Sequence, residues 1–189
     1  GEIKGLKDQL HKLAVKLEST IDVDGLIKLA QEAKPLPSLK ERSKCRVSQV
    51  IPGKEVVIGM AFDEAFCFYY QENLKLLEEM GARLIPFSPI HDKALPPGIC
   101  GLLLGGGYPE LYCKELSENE SMLREIRNAS ERGLPILAEC GGFLYLHQEL
   151  ETKDHKSYCL SGVIPGRAFP TERLLRFGYI EAFAREDIP

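Results

Sequence analysis

The chain has 189 residues, 44% of them hydrophobic and 28% charged, which is typical of a globular protein with one domain and a short attachment. Its net charge of −4 and its lack of a membrane-length apolar run argue against nucleic-acid or membrane partners. The six cysteines are widely spaced with no Cys-x-x-Cys pair, so we predict no metal site and expect reduced, buried thiols in a cytoplasmic protein.

The first 54 residues differ in character from the rest of the chain. Leucines at helical spacing predict a helix within residues 2–18, and Asp22 is placed to cap a second short helix that ends before Pro35. Residues 1–54 hold 11 Lys and Arg against 7 Asp and Glu, a net charge of +4 that leaves −8 for the remainder. We therefore predict a helical tail of a preceding domain at 1–33, a linker at 34–54 and the main domain at 55–189.

From residue 55 onward, short apolar runs alternate with helical patterns. We predict strands at 55–61, 83–87, 100–104 and 136–138, with helices at 67–80 and 119–132 and a further helix after residue 140. This alternation predicts an α/β fold with a flavodoxin-like, open, mostly parallel sheet and helices on both faces. The pattern weakens after residue 150, where we predict strands at 160–164 and 174–183.

A cysteine follows the fourth predicted strand at a tight turn. Glu139 and Cys140 come directly after the apolar run, two glycines follow, and the helical pattern resumes at Phe143. A thiol at a strand-to-helix bend resembles the nucleophile elbow of hydrolases, and the unpaired amides of a helix start favour its thiolate. We predict that Cys140 is a nucleophile; the alternative is a small buried cysteine beside a helix start.

Three glycines follow the third predicted strand directly, at positions 105, 106 and 107. Because the carboxyl ends of parallel strands meet at one edge of a sheet, we expect this loop and Cys140 to lie on the same rim. A phosphate loop is excluded, since neither Gly-Lys-Ser/Thr nor Gly-x-Gly-x-x-Gly is present. The loop amides and that of Gly141 could hold the oxyanion of acyl transfer through a thioester; the alternative is a simple tight turn.

A cysteine nucleophile usually needs a histidine base. The patterns place the four histidines in the first helix, the loop after the second strand, the helix after the nucleophile and a polar turn: His11, His91, His147 and His155. None of these positions suits the role. Either the chemistry is absent or its histidine lies beyond Pro189.

Several longer motifs resemble the cobyrinic acid a,c-diamide synthase family, in the cobyric-acid-synthase-like branch of the class I (triad) glutamine amidotransferases. The motifs are residues 61–74 (AFDEAFCFYYQENL), 87–89 (FSP), 95–96 (LP), 104–111 (LGGGYPEL) and 138–142 (AECGG). The resemblance covers about residues 55–183. Residues 1–33 resemble the end of the family's N-terminal ATP-binding synthetase domain.

The resemblance implies a glutaminase mechanism. Cys140 attacks the side-chain amide of glutamine, and the oxyanion and glutamine are held by a set of neighbouring residues: Gly106, Gly107, Gly141, Tyr108 and Glu110. The family's catalytic histidine lies downstream of the segment that matches Gly178 and Tyr179. We therefore expect this chain by itself to be inactive, with its histidine partner beyond Pro189.

The resemblance also implies partners outside the chain. Ammonia passes to the synthetase domain, where ATP and Mg²⁺ activate the a and c carboxylates of a corrinoid in cobalamin biosynthesis; no cofactor is expected in this chain. A family signature is implied to face the domain junction or the tetrapyrrole, and the alternative is core packing of an aromatic helix: Asp63, Phe66, Tyr69, Tyr70 and Asn73. A homodimer is left open.

Enzymes with other substrates share some of these motifs, so alternative functions stay open. Hydrogenobyrinic acid and nickel-sirohydrochlorin a,c-diamide synthases have them, and a cobyric acid synthase has them more distantly. A catalytically inactive glutaminase-like binding module is a second alternative. A cysteine hydrolase or peptidase of the same fold is a third, but it would need a histidine soon after Cys140.

Overall fold

The computed structural model describes residues 5–34 and 55–173, together with residues 179, 181 and 183. The chain forms two compact units, Gly1–Arg46 and Val47–Pro189. The linker predicted at 34–54 and the strand predicted at 174–183 lie almost entirely outside the described residues, and the domain boundaries stay a prediction.

The first unit contains two helices, α1 (Leu6–Thr20) and α2 (Val23–Glu32). The predicted cap is present, because the Asp22 side chain accepts a hydrogen bond from the Gly25 amide at 2.9 Å. Neither helix buries a residue, so the predicted leucine stripe is exposed among the described residues. Nowhere in the described part of the chain is a helix long and apolar enough to cross a membrane.

A parallel sheet organises the second unit. Its strands are β1 (Val56–Ala61), β2 (Ala82–Phe87), β3 (Gly101–Leu104) and β4 (Ile136–Ala138), in the order β2-β1-β3-β4. Each neighbouring pair is parallel, for example with Met60 opposite Leu103 and Leu104 opposite Ala138. The predicted flavodoxin-like class is confirmed. The order reverses between β1 and β3, and ligands bind such sheets beyond the strand ends at that point.

Helices and one short 3₁₀ helix connect the strands. They are α3 (Gln71–Glu79), the 3₁₀ helix Pro109–Leu111, α4 (Cys113–Glu118), α5 (Glu120–Glu131) and α6 (Gly141–Tyr145). Helix α5 buries Met122, Ile126 and Ala129, which are spaced so that they share one face. The core also contains Phe66 and Tyr145, whose ring centroids are 5.3 Å apart.

Helix α3 begins later than the predicted helix at 67–80. The Phe68 amide donates to the Gly106 carbonyl at 3.0 Å, and Tyr70, which precedes the helix, has extended backbone angles. Residues before Gln71 therefore run alongside the glycine loop instead of winding into a helix. The helix predicted over residues 67–70 is wrong for that reason.

A second, three-stranded sheet follows α6. It contains β5 (His147–Glu151), β6 (Ser157–Cys159) and β7 (Ile164–Ala168), with β5 antiparallel to β6 and parallel to β7. The strand predicted at 160–164 is wrong. Gly162 has a φ of +68° and the Ser161 hydroxyl donates to the Tyr145 carbonyl at 2.8 Å, so the backbone turns there.

Candidate active site

The Cys140 turn joins β4 to α6. Cys140 has φ +49° and ψ −109°, a conformation that residues with a side chain seldom adopt, and its side chain is exposed. Gly142 donates to the carbonyls of Gly105 and Glu139, each at 2.9 Å. A Cβ on Gly142 would lie 2.1 Å from the Leu104 carbonyl oxygen, so the turn requires glycine there. The buried-cysteine alternative does not describe Cys140.

The glycine loop follows β3 and packs against the Cys140 turn. A Cβ on Gly141 would lie 3.1 Å from the Gly107 nitrogen, which shows how closely the two backbones approach. Gly107 itself lies against the preceding loop, where an added Cβ would meet the Ala65 carbonyl oxygen at 2.0 Å. The two motifs lie together because β3 and β4 are parallel neighbours that end at the same edge.

Several backbone amides at this junction, among them those of Gly107 and Gly141, have no acceptor among the described residues. Within the described residues, the N–H groups of Gly107 and Gly141 donate no hydrogen bond, although the Tyr108 amide donates to Ala65 at 3.0 Å. The first amides of a helix have no intrahelical acceptor, and backbone amides beside a thiol can stabilise a developing oxyanion. Cys140, Gly107 and Gly141 therefore lie close together at one rim of the sheet.

Cys140 opens into a cavity of about 250 Å³. Apolar surface dominates its walls, which are formed by Phe68, Tyr70, Gly106, Gly107, Tyr108, Glu139 and Cys140. The Phe68 and Tyr70 rings pack edge to face with centroids 5.9 Å apart. Phe68 was not predicted as a site residue, because nothing in its spacing distinguishes it from the aromatic residues on either side.

Glu110 does not line this cavity. After Gly107 the chain enters the 3₁₀ helix Pro109–Leu111, which takes Glu110 to a separate cavity of about 700 Å³ between α4 and the second sheet. Leu111, Leu150 and Phe169 contribute to that second cavity. The structure therefore separates Glu110 from Cys140, whereas Tyr108 and the glycines are beside it.

The family signature after β1 divides into core, loop and surface positions. Phe66 is completely buried, so of the two interpretations core packing describes it. The Asp63 carboxylate accepts from the amides of Ala65 and Phe66 and from Ser88 and Ile90, all within 3.1 Å, and so organises its own loop. Tyr70 and Asn73 are exposed, with Tyr70 on the cavity wall.

Tyr69 is half-buried between two strand ends. Its hydroxyl donates to the Ala61 carbonyl and accepts from the Gly105 amide at 2.9 Å. Burial raises its pKa to about 12, against a smaller lowering by the bond from Gly105, so the phenol stays protonated at ordinary pH. Both hydrogen bonds of the Tyr69 hydroxyl are made to residues of the second unit, a role that the sequence analysis did not predict.

None of the four histidines lines the Cys140 cavity. His91 lies 3.1 Å from the Glu64 carboxylate, and His155 lies 2.9 Å from Glu151. His147 begins β5 rather than lying on the preceding helix as predicted, since α6 ends at Tyr145. The imidazoles of His91 and His155 are thus paired with carboxylates, and that of His147 lies 2.9 Å from the Phe143 carbonyl oxygen.

The prediction of buried thiols holds for only one of the five cysteines that the structure describes. Cys113 is buried, and Cys67, Cys100, Cys140 and Cys159 are exposed. Burial, and then the neighbouring carboxylates of Glu110 and Glu115, raises the pKa of Cys113 to about 11. Across the described ranges, no group of three or more His, Cys, Asp or Glu side chains is arranged to hold a metal ion.

Comparison with known proteins supplies independent information. Residues 57–188 match the family model described as a CobB/CobQ-like glutamine amidotransferase domain. The cobyrinate a,c-diamide synthase of Caldanaerobacter subterraneus subsp. tengcongensis is 48% identical over 181 residues, which is 96% of this chain and 38% of that protein. Those of Salmonella typhimurium (43% identical; 93% of this chain and 37% of that protein) and Dehalococcoides mccartyi (42%; 94% and 38%) are also similar. The chain thus spans less than two fifths of these relatives' length.

Proposed function

The chain belongs to the CobB/CobQ-like glutamine amidotransferase family, and from that premise we propose that it is the glutamine-hydrolysing part of a cobyrinate a,c-diamide synthase. The relatives at 42–48% identity that bear this name support the proposal. The observation that carries it is local: Cys140, at a positive φ, shares one cavity with Gly107 and lies beside two unpaired amides.

In the proposed reaction, the Cys140 thiolate bonds to the side-chain carbonyl carbon of glutamine. The carbonyl oxygen becomes an oxyanion that accepts hydrogen bonds from the amides of Gly107 and Gly141. The carbon–nitrogen bond then breaks and the nitrogen, once protonated, leaves as ammonia. Water attacks the resulting thioester, which releases glutamate and regenerates the thiol. We assign the proton transfers to a histidine beyond Pro189, because no histidine of this chain lines the cavity.

In the proposed enzyme, the ammonia is used by a part of the protein outside this chain. We place ATP and Mg²⁺ in the part of the relatives' length that this chain does not span, where they would activate the a and c carboxylates of a corrinoid. The amphipathic helices α1 and α2, which bury no residue within the described chain, would be the end of that synthetase part.

An activated glutamine analogue tests the glutaminase role without requiring a histidine. With L-glutamic acid γ-(4-nitrophenyl) ester, attack by Cys140 breaks the ester C–O bond and releases 4-nitrophenolate, a leaving group that needs no added proton. We expect a rapid burst of nitrophenolate equal to the chain concentration, and a glutamyl thioester on the peptide that contains Cys140, by mass spectrometry. Glutamine alone should release negligible ammonia.

The matched control is Cys67→Ser, which removes another exposed thiol. It should leave the burst unchanged, whereas Cys140→Ser should abolish it. A burst that persists in Cys140→Ser, or an acyl group on another residue, would overturn the proposed function.

A further inference from the structure

The Tyr69 side chain connects the ends of β1 and β3, where the strand order of the sheet reverses. Ala61 is the last residue of β1, and Gly105 follows the last residue of β3, its parallel neighbour. The Tyr69 hydroxyl donates to the first of these residues and accepts from the second. One side chain therefore bridges the two strand ends beneath the rim.

The Gly105 peptide connects Tyr69 to the nucleophile turn. Its amide donates to the Tyr69 hydroxyl at 2.9 Å, and its carbonyl accepts from the Gly142 amide at 2.9 Å. Gly142 is two residues after Cys140 and lies in the first turn of α6. A displacement of Gly105 would therefore move both the glycine loop and the backbone that presents the thiol.

The Tyr69 ring also restricts Gly105 sterically. A Cβ on Gly105 would lie 2.3 Å from Cε1 of Tyr69, so the ring lies directly against this backbone. The Tyr69 and Phe62 ring centroids are 6.3 Å apart, which places a second aromatic ring beside it. The ring position is thus fixed by packing as well as by two hydrogen bonds.

From these contacts, and resting on the proposed function, we propose that Tyr69 is a positioning residue: its hydroxyl holds Gly105 so that the amides of Gly107 and Gly141 face the oxygen that becomes negative when Cys140 attacks. Small displacements of an oxyanion donor matter because its stabilising effect depends on distance and direction. Tyr69 acts through Gly105 and itself does not line the Cys140 cavity.

The rates at which two electrophiles react with Cys140 distinguish an effect on the oxyanion donors from a general effect on folding. Acylation by the γ-(4-nitrophenyl) ester forms an oxyanion, whereas alkylation of Cys140 by iodoacetamide displaces iodide at a saturated carbon and forms none. In Tyr69→Phe we expect acylation to slow by at least about tenfold, since the loss of one oxyanion donor costs about 10²–10³-fold. We expect alkylation of Cys140 to change by less than twofold.

Tyr112→Phe is the matched control, because Tyr112 is also a partly buried tyrosine that packs against the core and does not line the Cys140 cavity. Both of its rates should equal those of the unmodified chain. If circular dichroism shows that Tyr69→Phe is unfolded, Gly105→Ala tests the same contact from the other side and should also slow acylation selectively.

Each outcome has a distinct meaning. Equal acylation in Tyr69→Phe and the unmodified chain would overturn the positioning role while leaving the nucleophile assignment intact. Equal slowing of acylation and alkylation would also overturn it, because the effect would then be structural. Absence of a Cys140-dependent burst in the unmodified chain would instead overturn the proposed function.

Discussion

Two cysteines of this chain lie at helix starts and differ in almost every other respect. Cys113 is the first residue of α4; its thiol is buried, donates to the Pro109 carbonyl at 3.4 Å, and has a pKa raised to about 11. Cys140 immediately precedes α6; its thiol is exposed in a cavity beside two unpaired amides. A helix start alone therefore does not make a cysteine a nucleophile.

Solvent access and neighbouring charge separate the two sites. The carboxylates of Glu110 and Glu115 oppose ionisation of Cys113, and burial opposes it further. The strand-to-helix bend directs Cys140 outward instead, which its positive φ makes possible. The contrast teaches that the turn geometry, rather than the short helix after it, distinguishes the candidate nucleophile.

The largest expected effect comes from exchanging the two thiols for alanine. Cys140→Ala should abolish the nitrophenolate burst, because the attacking atom is gone. Cys113→Ala should retain the burst within about twofold, since that thiol does not line the Cys140 cavity and its hydrogen bonds go to the 3₁₀ segment before α4. Loss of the burst in both variants would break the comparison, and thermal unfolding of each would show whether folding explains it.

The Cys140 turn itself can be disturbed by Gly142→Ala. The new Cβ would lie 2.1 Å from the Leu104 carbonyl oxygen, so we expect about 3 kcal/mol of destabilisation in urea-induced unfolding. Gly98→Ala is the control: no atom lies within 4 Å of its added Cβ, so its positive φ alone is expected to cost about 1–2 kcal/mol. Equal losses would show that close packing at the turn contributes nothing.

Alkylation compares the two thiols in one experiment. With iodoacetamide at pH 8, we expect Cys140 to react faster than Cys67 and Cys100, and Cys113 to react at least about 100-fold more slowly than an exposed thiol. Peptide mass spectrometry after timed quenching measures each site. Labelling in urea should equalise the rates; rapid labelling of Cys113 in the folded chain would contradict its burial.

The smallest expected effect is a pH dependence of stability at Cys113. Its pKa rises from 9.0 to about 11 on folding, so above pH 9 the unfolded chain loses this proton while the folded chain keeps it. Stability should therefore fall as the pH rises from 9 to 11, by on the order of 1 kcal/mol. Cys113→Ala should show a shallower decline in urea midpoint; an identical decline would remove the thiol from the explanation.

The parallel sheet and the tight turn at Cys140 could be predicted because their signals are local. Continuous apolar runs mark β1 and β3, and the Cys-Gly-Gly sequence after β4 marks the bend at Cys140. The shared rim followed from a general rule about parallel strands. None of these inferences required information about which side chains are in contact across the sheet.

The errors arose where distant residues decide local structure. Residues before Gln71 are not helical as predicted, because the Phe68 amide bonds to the Gly106 carbonyl. Glu110 does not lie beside Cys140 as predicted, because the chain turns into a 3₁₀ helix at Pro109. The role of Tyr69 depends on Ala61 and Gly105, which no spacing rule relates to it. The sequence pattern carries no information about contacts between separate βα units, and these contacts decide the local structure at the mispredicted positions.

The cavity beside Cys140 takes its walls from three stretches that follow β1, β3 and β4. Contacts of such wide sequence separation form slowly, because long loops must close before any of them is made. The thiol would therefore gain its environment only once residues from Phe68 to Gly142 have packed together. Acylation of Cys140 during refolding should accordingly report a late step of folding.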